Sequence, residues 1–367
     1  MTALAASVHE RVQLQVTEID PLTDPRWTAL VERHPDRLVF HHPAWLRTLR
    51  DEYPRPMIGL GCEDPAGRLR GVLALSLTKG LPLGSAIAGR RLSSLPRTPI
   101  AGPLALDDHA SATLIRAAIE RTRASTDTQL QLKAMMPLPD AVNDGLQEVA
   151  WRPTYVLDLQ DRPAGDGRGR RRNQWAVNKA RKAGVHVRVA ESEAELQTWH
   201  RLYLGTMRGL AVPARTYRFF EAAWRHLRPA GMMRLLIAEQ DGRMLAGSVF
   251  LMLGSTVFYA FTGWQRADHS LRANDLLHWQ AIDEFRQAGY RYYDFGEVAG
   301  GQQSLAAFKS KWGAQPRQLY RYHFPAQAEH GGGTLESGRL GGVAADIWRR
   351  LPLPVTATIG DWVYRRL

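Results

Sequence analysis

Two carboxylates that lie close together in this sequence could carry proton chemistry. Asp294 and Glu297 fall within residues 293–297, at the end of a strand that hydrophobic alternation predicts at residues 290–295. A carboxylate at a strand end can take a proton from an amine or hold that amine in place. Side chains alternate between the two faces of a strand, so the two carboxylates share a face only if Gly296 interrupts the strand. We expect Asp294 to be the base; the alternative is that Asp294 only caps the following turn.

Other catalytic signatures are missing from the sequence. It contains no Gly-x-Ser-x-Gly elbow, Walker loop, His-Glu-x-x-His motif or dinucleotide-binding glycine fingerprint. Cys62 is the only cysteine, which excludes an intrachain disulfide and a thiolate zinc cluster. His41 and His42 are neighbours near a helix start, where such residues more often cap or pack than bind a metal. We therefore expect no metal.

Hydrophobic periodicity and turn residues predict the same order of elements in both halves of the chain. In the first half we predict strands at residues 12–19, 57–61, 69–77, 90–95, 130–133 and 155–159, and helices at 24–31, from 43, at 108–123 and near 142. In the second half we predict strands at 185–189, 234–239, 245–252, 257–262, 290–295 and 319–323, and helices from 192, at 217–227, 275–288 and 304–312. The mixture of strands and helices indicates an α/β fold.

Three motifs follow one another in the second half and resemble a known family. Asn-Asp-Leu-Leu at residues 274–277 opens a helix, Tyr-Asp-Phe-Gly at 293–296 ends a strand, and Phe-Lys-Ser-Lys-Trp-Gly occupies 308–313. Together they resemble the FemAB-like, or BioF2-like, branch of the GNAT acyltransferase superfamily. That branch includes peptidoglycan-bridge aminoacyl-tRNA transferases and CelD-like proteins associated with polysaccharide synthesis. Likeness at residues 40–46, 89–96 and 172–184 extends the resemblance over nearly the whole chain.

The resemblance implies two tandem GNAT domains, each with a central mixed sheet flanked by helices. We expect an N-terminal domain at residues 1–165 and a C-terminal domain with the active site at residues 166–328. A linker and a basic amphipathic tail are expected at residues 329–367.

The resemblance also implies a role for Lys309. In FemAB-like enzymes the matching lysine lies near the transferring carbonyl and the donor phosphate, where an ammonium would stabilise negative charge. We expect Lys311 to be a solvated helix residue, with Phe308 and Trp312 packing inward. One departure from the family is that its basic residue after Asp-Phe-Gly is replaced here by Glu297.

The donor site of GNAT enzymes includes a helix N-terminus that binds the cofactor pyrophosphate. That helix is expected to start at Asn274 and Asp275, which could also be ordinary caps. The usual Arg/Gln-x-x-Gly-x-Gly/Ala loop is absent from residues 265–273, where Arg266 and Arg272 are the expected phosphate partners. Acyl-CoA is the expected donor, and aminoacyl-tRNA is the alternative.

The chain has a formal net charge of +12, which would attract a polyanion. The basic run from Arg168 to Lys182 could bind tRNA, or could be a solvated helix. Tryptophans and arginines near the C-terminus suit a membrane surface, or could dock on the protein itself. No run approaches the roughly 20 apolar residues of a membrane span. We expect a cytoplasmic protein, peripheral at the inner face of the membrane.

These features lead to one leading hypothesis and two rivals. The leading one is an N-acyltransferase that moves an acyl or aminoacyl group to an amine on a small molecule or envelope precursor, in envelope or polysaccharide synthesis. The second is a non-catalytic GNAT-fold protein that binds a nucleotide-linked or anionic glycan precursor. The third is an adaptor that binds tRNA or a membrane through its basic surfaces.

Overall fold

The computed structural model describes residues 13–79, 90–125, 128–160, 167–325 and 342–366, apart from the side chains of 139–140 and 167–170. The strands are β1 (Gln15–Ile19), β2 (Met57–Glu63), β3 (Leu69–Thr78), β4 (Arg90–Ser93), β5 (Leu104–Ala105), β6 (Thr128–Ala134), β7 (Gln147–Ala150), β8 (Thr154–Asp158), β9 (His186–Val189), β10 (Met233–Gln240), β11 (Arg243–Leu253), β12 (Thr256–Trp264), β13 (Tyr292–Glu297), β14 (Gln315–Arg317) and β15 (Tyr320–Phe324). The helices are α1 (Pro25–Arg33), α2 (Pro43–Glu52), α3 (Asp108–Arg123), α4 (Pro139–Asn143), α5 (Gly167–Lys182), α6 (Glu193–Gly209), α7 (Tyr217–His226), α8 (Ala273–Gln287), α9 (Gln303–Ser310), α10 (Gly342–Arg350) and α11 (Leu353–Arg366).

These elements form two mixed sheets flanked by helices, as the resemblance implies. The first sheet has the strand order β1-β2-β3-β4-β6-β15-β7, with β5 paired to β3. The second has the order β14-β8-β13-β12-β11-β10-β9. Each sheet contains one parallel pair, β4 with β6 and β12 with β13, and the other pairs are antiparallel. The fold is thus α/β with two tandem units of the same design.

The two units exchange strands. β8 belongs to the first half of the chain but lies between β14 and β13 in the second sheet, and β15 lies between β6 and β7 in the first sheet. The predicted domains place residues 155–159 in the first domain and residues 319–323 in the second, whereas the structure pairs them in the second sheet and the first sheet respectively. Strand pairing is non-local, so the order of elements does not specify the sheet in which a strand pairs. The predicted domain boundaries, at 165/166 and at 328/329, and the linker lie outside the described residues.

Helix starts follow from local sequence signals. Asp24 caps α1, accepting a hydrogen bond from the amide of Arg26, and a proline opens the helix. Ser192 and Glu195 form a capping box at the start of α6. The ring of His42 caps α2 by accepting from the amide of Ala44, which confirms the capping role expected there. These predictions hold because each depends on residues a few positions apart.

The core joins the two halves. Its largest hydrophobic cluster contains buried residues from both, including edge-to-face contact between Trp45 and Phe219, with ring centroids 5.8 Å apart. Phe40 and Phe258 also meet across the two halves, with ring centroids 4.8 Å apart. Burial of such aromatic pairs fixes the relative position of the two units. No helix in the described residues is long and apolar enough to span a membrane.

Candidate functional site

The candidate site lies where β12 and β13 part. The two strands pair in parallel only from Thr256 with Tyr292 to Phe258 with Asp294, although β12 continues to Trp264. On its other side, β13 pairs with β8, and the register shifts between Asp294 and Glu297. The carboxylates predicted from the sequence therefore lie at the point where regular pairing of β13 ends.

Asp294 is buried at this point, with 3% of its surface exposed. Its Oδ1 accepts hydrogen bonds from the Thr154 hydroxyl of β8 and from the Gly296 amide at 2.7 Å. Burial raises the pKa of Asp294 to about 6, against the lowering effect of these donors and of the nearby Lys309 ammonium. The hydrogen bond from the Gly296 amide is the turn-capping contact that the sequence offered as the alternative role of Asp294. The raised pKa is typical of a general base.

Gly296 turns the chain so that Glu297 joins the cluster. Its φ of +82° is one that glycine adopts without strain. Glu297 Oε2 accepts from the Trp151 indole at 2.9 Å, and Oε1 lies 3.4 Å from the Arg321 guanidinium. The Glu297 side chain is 24% exposed, far more than Asp294. The sequence predicted that Asp294 and Glu297 could serve one site only if Gly296 interrupted the strand, and the chain does turn at Gly296.

Lys309 closes the cluster from α9. It is 4% exposed, and its Nζ donates to the carbonyl oxygens of Gly296 at 2.8 Å and Glu297 at 3.1 Å. Burial lowers the pKa of Lys309 to about 8, although Asp294 and Glu297 oppose the shift. An ammonium has three donors, so one N–H remains to bind a developing oxyanion.

A buried histidine lies behind the cluster. His278 of α8 bonds through Nδ1 to the Tyr293 hydroxyl at 2.9 Å, and its ring packs against Phe308 and Trp312. Burial, with Lys311 and Lys309 nearby, lowers the pKa of His278 to about 3, so its ring is neutral at physiological pH. The inward packing expected for Phe308 and Trp312 is confirmed, and His278 serves as a neutral wall of the site.

The helix expected to hold pyrophosphate is α8, which begins one residue before Asn274. Its N-cap is Arg272, in the left-handed region at φ 60°, and no side chain caps the helix. Asn274 and Asp275 are therefore the second and third helical residues, and the interpretation that they are caps was wrong. Asp275 pairs with Lys311 at 2.5 Å, so Lys311 is not the solvated residue that we expected. The Lys311 ammonium neutralises the charge of the Asp275 carboxylate, which would otherwise repel an anion at the start of the helix.

Two buried polar atoms near the start of α8 lack partners. Asn173 of α5 is 4% exposed; its amide nitrogen donates to the Lys311 carbonyl, but its Oδ1 has no hydrogen-bond partner, and neither does Arg272 Nε. The Arg272 guanidinium lies 5.6 Å from the ring centre of Trp175, a tryptophan that is 55% exposed. An uncapped helix N-terminus beside a guanidinium fits a phosphate group.

The remaining basic residues are more dispersed. Arg266 is exposed at the start of a 3₁₀ turn, Arg266–Leu271, and lies over Gly209 at the end of α6, whereas Arg272 faces α5. The basic run forms α5 as predicted, and its arginines and lysines from residue 171 onward are exposed. Arg272 and Arg266 thus lie at opposite ends of the turn, and Arg272 is the one beside the start of α8.

Sequence reasoning did not find Thr154, Trp151 or Arg321. Thr154 lies on β8, and Arg321 on β15, the two exchanged strands; Trp151 is on the crossing between β7 and β8. No spacing along the sequence relates these residues to Asp294 or Glu297. Only knowledge of the strand exchange could have found them.

Comparison with known proteins supports the fold. Residues 167–310 match the model of an acetyltransferase (GNAT) domain family. The crystal structure of FemX aligns over 84% of this chain and 97% of its own, at 16% identity and a TM-score of 0.65. The C-terminal domain of a candidate lysylphosphatidylglycerol synthetase from Agrobacterium fabrum aligns over 82% and 91%, at 13% identity and 0.57. A tandem GNAT protein from the clavulanic acid biosynthesis pathway covers 86% and 100%, at 15% identity and 0.50. No curated protein sequence matches.

The fold is that of tandem GNAT proteins, and the match to the GNAT domain model lies in the second unit, at residues 167–310. The domain match agrees with the GNAT resemblance seen first in three short motifs, and the likeness to FemX agrees with the FemAB-like branch in fold. A GNAT domain supports transferase activity as a class. At these identities the structural likeness shows the fold alone.

Proposed function

We propose that this protein transfers an acyl or aminoacyl group from an activated donor to an amine. The observation that supports the proposal is the cluster of the buried Asp294 and Lys309 with the half-buried Glu297, where β12 and β13 part. One carboxyl has a raised pKa and one ammonium a lowered pKa, which is the pairing that acid-base chemistry near neutral pH requires.

The roles follow from exposure. Glu297 is the more accessible carboxylate, and it holds the incoming amine while Trp151 and Arg321 fix its orientation. The amine nitrogen attacks the donor carbonyl carbon, and Asp294 takes the proton that the nitrogen loses. Lys309 donates to the oxyanion. The bond from carbon to the thioester sulfur or ester oxygen then breaks, and the proton on Asp294 passes to the departing group.

The start of α8 is proposed as the donor site. Its free helix N-terminus and Arg272 bind the phosphates, and Trp175 offers an exposed ring for the adenine. Asn274 and Asp275 shape the first turn, and Arg266 would contact the donor only farther along the 3₁₀ turn. Acyl-CoA has its adenosine at the end opposite the acyl group, and aminoacyl-tRNA has its acyl group on the terminal adenosine, so both donors offer an adenine and phosphates to this site but place the carbonyl at different distances from it. With tRNA, α5 would bind the phosphates beyond that adenosine.

The acceptor is proposed to be an amine on a small molecule or a cell-envelope precursor. FemX and the lysylphosphatidylglycerol synthetase domain share this fold and motivate the envelope assignment. A place in polysaccharide synthesis, in the cytoplasm at the inner face of the membrane, belongs to the same proposal.

The proposal is tested by incubating the purified full chain with acetyl-CoA, longer acyl-CoAs or charged tRNA and a panel of amines, with mass-spectrometric detection of the product. Wild-type protein should transfer from one donor class, and a Lys309→Ala, Asp294→Ala double variant should not. Transfer by the double variant at the wild-type rate would refute the assigned site.

A matched control exists in the first sheet. Lys133 is also buried, and its Nζ donates to the carbonyls of Leu95 at 2.6 Å and Thr98 at 3.2 Å, as Lys309 does to two carbonyls. Lys133→Ala removes a buried lysine of the same kind away from the proposed chemistry. Transfer by Lys133→Ala at the wild-type rate would assign the Lys309 effect to the proposed site, whereas equal loss in both variants would show that removing any buried lysine of this kind is enough to stop transfer.

A second candidate function rests on the missing pyrophosphate loop. In its place stands a 3₁₀ turn that ends at Arg272 in the left-handed region. A non-catalytic protein that binds a nucleotide-linked or anionic glycan precursor would need the phosphate site without the chemistry. Tight precursor binding with no turnover from any donor would support this function, and any turnover would exclude it.

A further inference from the structure

Large apolar side chains on the described surface are concentrated at the C-terminal end. Four of the ten exposed large hydrophobic residues lie within residues 342–366: Val343, Ile347, Val355 and Trp362, exposed by 76%, 57%, 40% and 39%. Within each helix they share a face, four residues apart in α10 and seven apart in α11. We call these four residues the tail apolar face.

The other side of α11 is fixed to the protein by polar contacts. The Tyr53 hydroxyl donates to the Asp361 carboxylate at 2.7 Å, and the Arg55 guanidinium donates to the Tyr364 carbonyl. Gly360 lies against the carbonyl oxygen of Ala214, where a Cβ would not fit. These contacts fix the rotation of α11 about its own axis. The outward position of Val355 and Trp362 is therefore fixed as well.

α11 packs Ile359 against the buried cluster of Ala211, Ala345 and Trp348 but leaves two other large apolar side chains exposed. The residues that α11 buries are Thr356 and Gly360, while Val355 and Trp362 face outward. Burying a large apolar side chain is favourable, so a face that met only water would gain from burying Val355 and Trp362. Large apolar side chains that stay exposed on two successive helices are typical of a contact surface.

Charge indicates what that surface contacts. Residues 342–366 contain four arginines and two aspartates, and each aspartate pairs with an arginine in its own helix. Arg350 and Arg366 provide the surplus at the two helix ends, and the Arg366 guanidinium lies over the Trp362 ring at 4.3 Å. Arginine beside tryptophan next to aliphatic residues suits the headgroup region of an anionic bilayer.

We propose that α10 and α11 form a membrane-docking element that binds the surface of an anionic lipid bilayer through the tail apolar face and its arginines. The helices have 9 and 14 residues, so they would lie in the interface rather than cross it. The contacts of Tyr53 and Arg55 hold the element to the body of the protein. The docked protein would thereby keep a fixed orientation on the membrane.

Co-sedimentation of the full chain with lipid vesicles tests the proposal. Vesicles of phosphatidylcholine with about 30% phosphatidylglycerol should bind the protein, less at high salt, and pure phosphatidylcholine should bind it weakly. An I347S/W362S variant should bind at least about tenfold less, because it loses apolar contact in both helices. An R350Q/R366Q variant should lose about 30-fold on the anionic vesicles.

The matched control is V149S/V189S, which removes two valines of similar exposure, 36% and 39%, from edge strands β7 and β9. It should bind vesicles like the wild type. No binding of the wild type to anionic vesicles, or equal binding by I347S/W362S, would overturn the proposal. So would concentration-dependent self-association that I347S/W362S abolishes, since that would make the face a protein interface. Vesicle binding needs neither donor nor acceptor, so this test is independent of acyl transfer.

Discussion

Replacing Asp294 with asparagine should stabilise the protein at neutral pH while abolishing transfer. Asp294 is 3% exposed, and burial raises its pKa from 3.8 to about 6. The amide oxygen of the introduced asparagine can still accept from Thr154 and Gly296, the two donors that Asp294 Oδ1 uses now. The substitution therefore removes a buried charge and keeps the hydrogen bonds, at the cost of the proposed base.

The size of the effect follows from the pKa. A shift of one pKa unit corresponds to about 1.36 kcal/mol, so the rise of the Asp294 pKa to about 6 costs about 3 kcal/mol of folding free energy at pH 7. The folded pKa is the higher one, so the folded state holds the proton more tightly. Ionisation of Asp294 destabilises the fold above pH 6, and the cost disappears as pH falls toward 4. The advantage of Asp294→Asn should disappear with it.

Thermal unfolding of both proteins at pH 7 and pH 4 measures this difference. An equal or lower midpoint for Asp294→Asn at pH 7, or a gain that does not change with pH, would refute the reasoning. Asp64→Asn is a control with the opposite sign. Hydrogen bonds from Arg68 lower the pKa of Asp64, so that substitution should destabilise the protein above pH 4.

Three further substitutions test the site and the tail. Lys309→Met should lower kcat about 100- to 1000-fold with little change in KM, since the lost N–H acts on the oxyanion. Trp175→Ala should raise the Kd for the donor about tenfold without changing kcat, and Trp175→Phe should restore it, as calorimetry with the donor would show. Gly360→Ala should release α11, because the added Cβ meets the Ala214 carbonyl, and trypsin should then cleave at Arg349 and Arg350 faster. Unchanged tryptic cleavage would contradict the docking contact.

Elements with local signals were predictable from the sequence. α3 begins and ends at the predicted residues, and the capping box of α6 and the proline start of α2 are where the sequence puts them. These features depend on hydrogen bonds and backbone preferences within one turn. The order of elements shared by the halves was predictable for the same reason.

Besides the two-residue β5, two strands escaped prediction because they lack a buried face. β7 (Gln147–Ala150) is mostly exposed, and β14 (Gln315–Arg317) is fully exposed and contains a proline. Both are edge strands, where little apolar alternation is required and proline is tolerated. Hydrophobic periodicity carries no signal for such strands.

The candidate site was predictable in part. Asp294, Glu297 and Lys309 were named from motif and resemblance, and the structure brings them together through the turn at Gly296. The polarity of their surroundings was not predictable. Burial sets both shifted pKa values, and burial here depends on β8, which the sequence does not assign to this sheet.

Strand exchange makes the candidate site a property of both units. Thr154, on an exchanged strand, donates to Asp294, and Trp151 and Arg321 from the first unit contact Glu297. The second sheet without β8 would leave β13 and β14 unpaired on facing edges, and unpaired backbone groups that are buried are costly. The first sheet without β15 would have the same defect between β6 and β7. Neither unit can complete its sheet alone. The positions of Asp294 and Glu297, which lie in the second half of the chain, therefore depend on the folding of the first half.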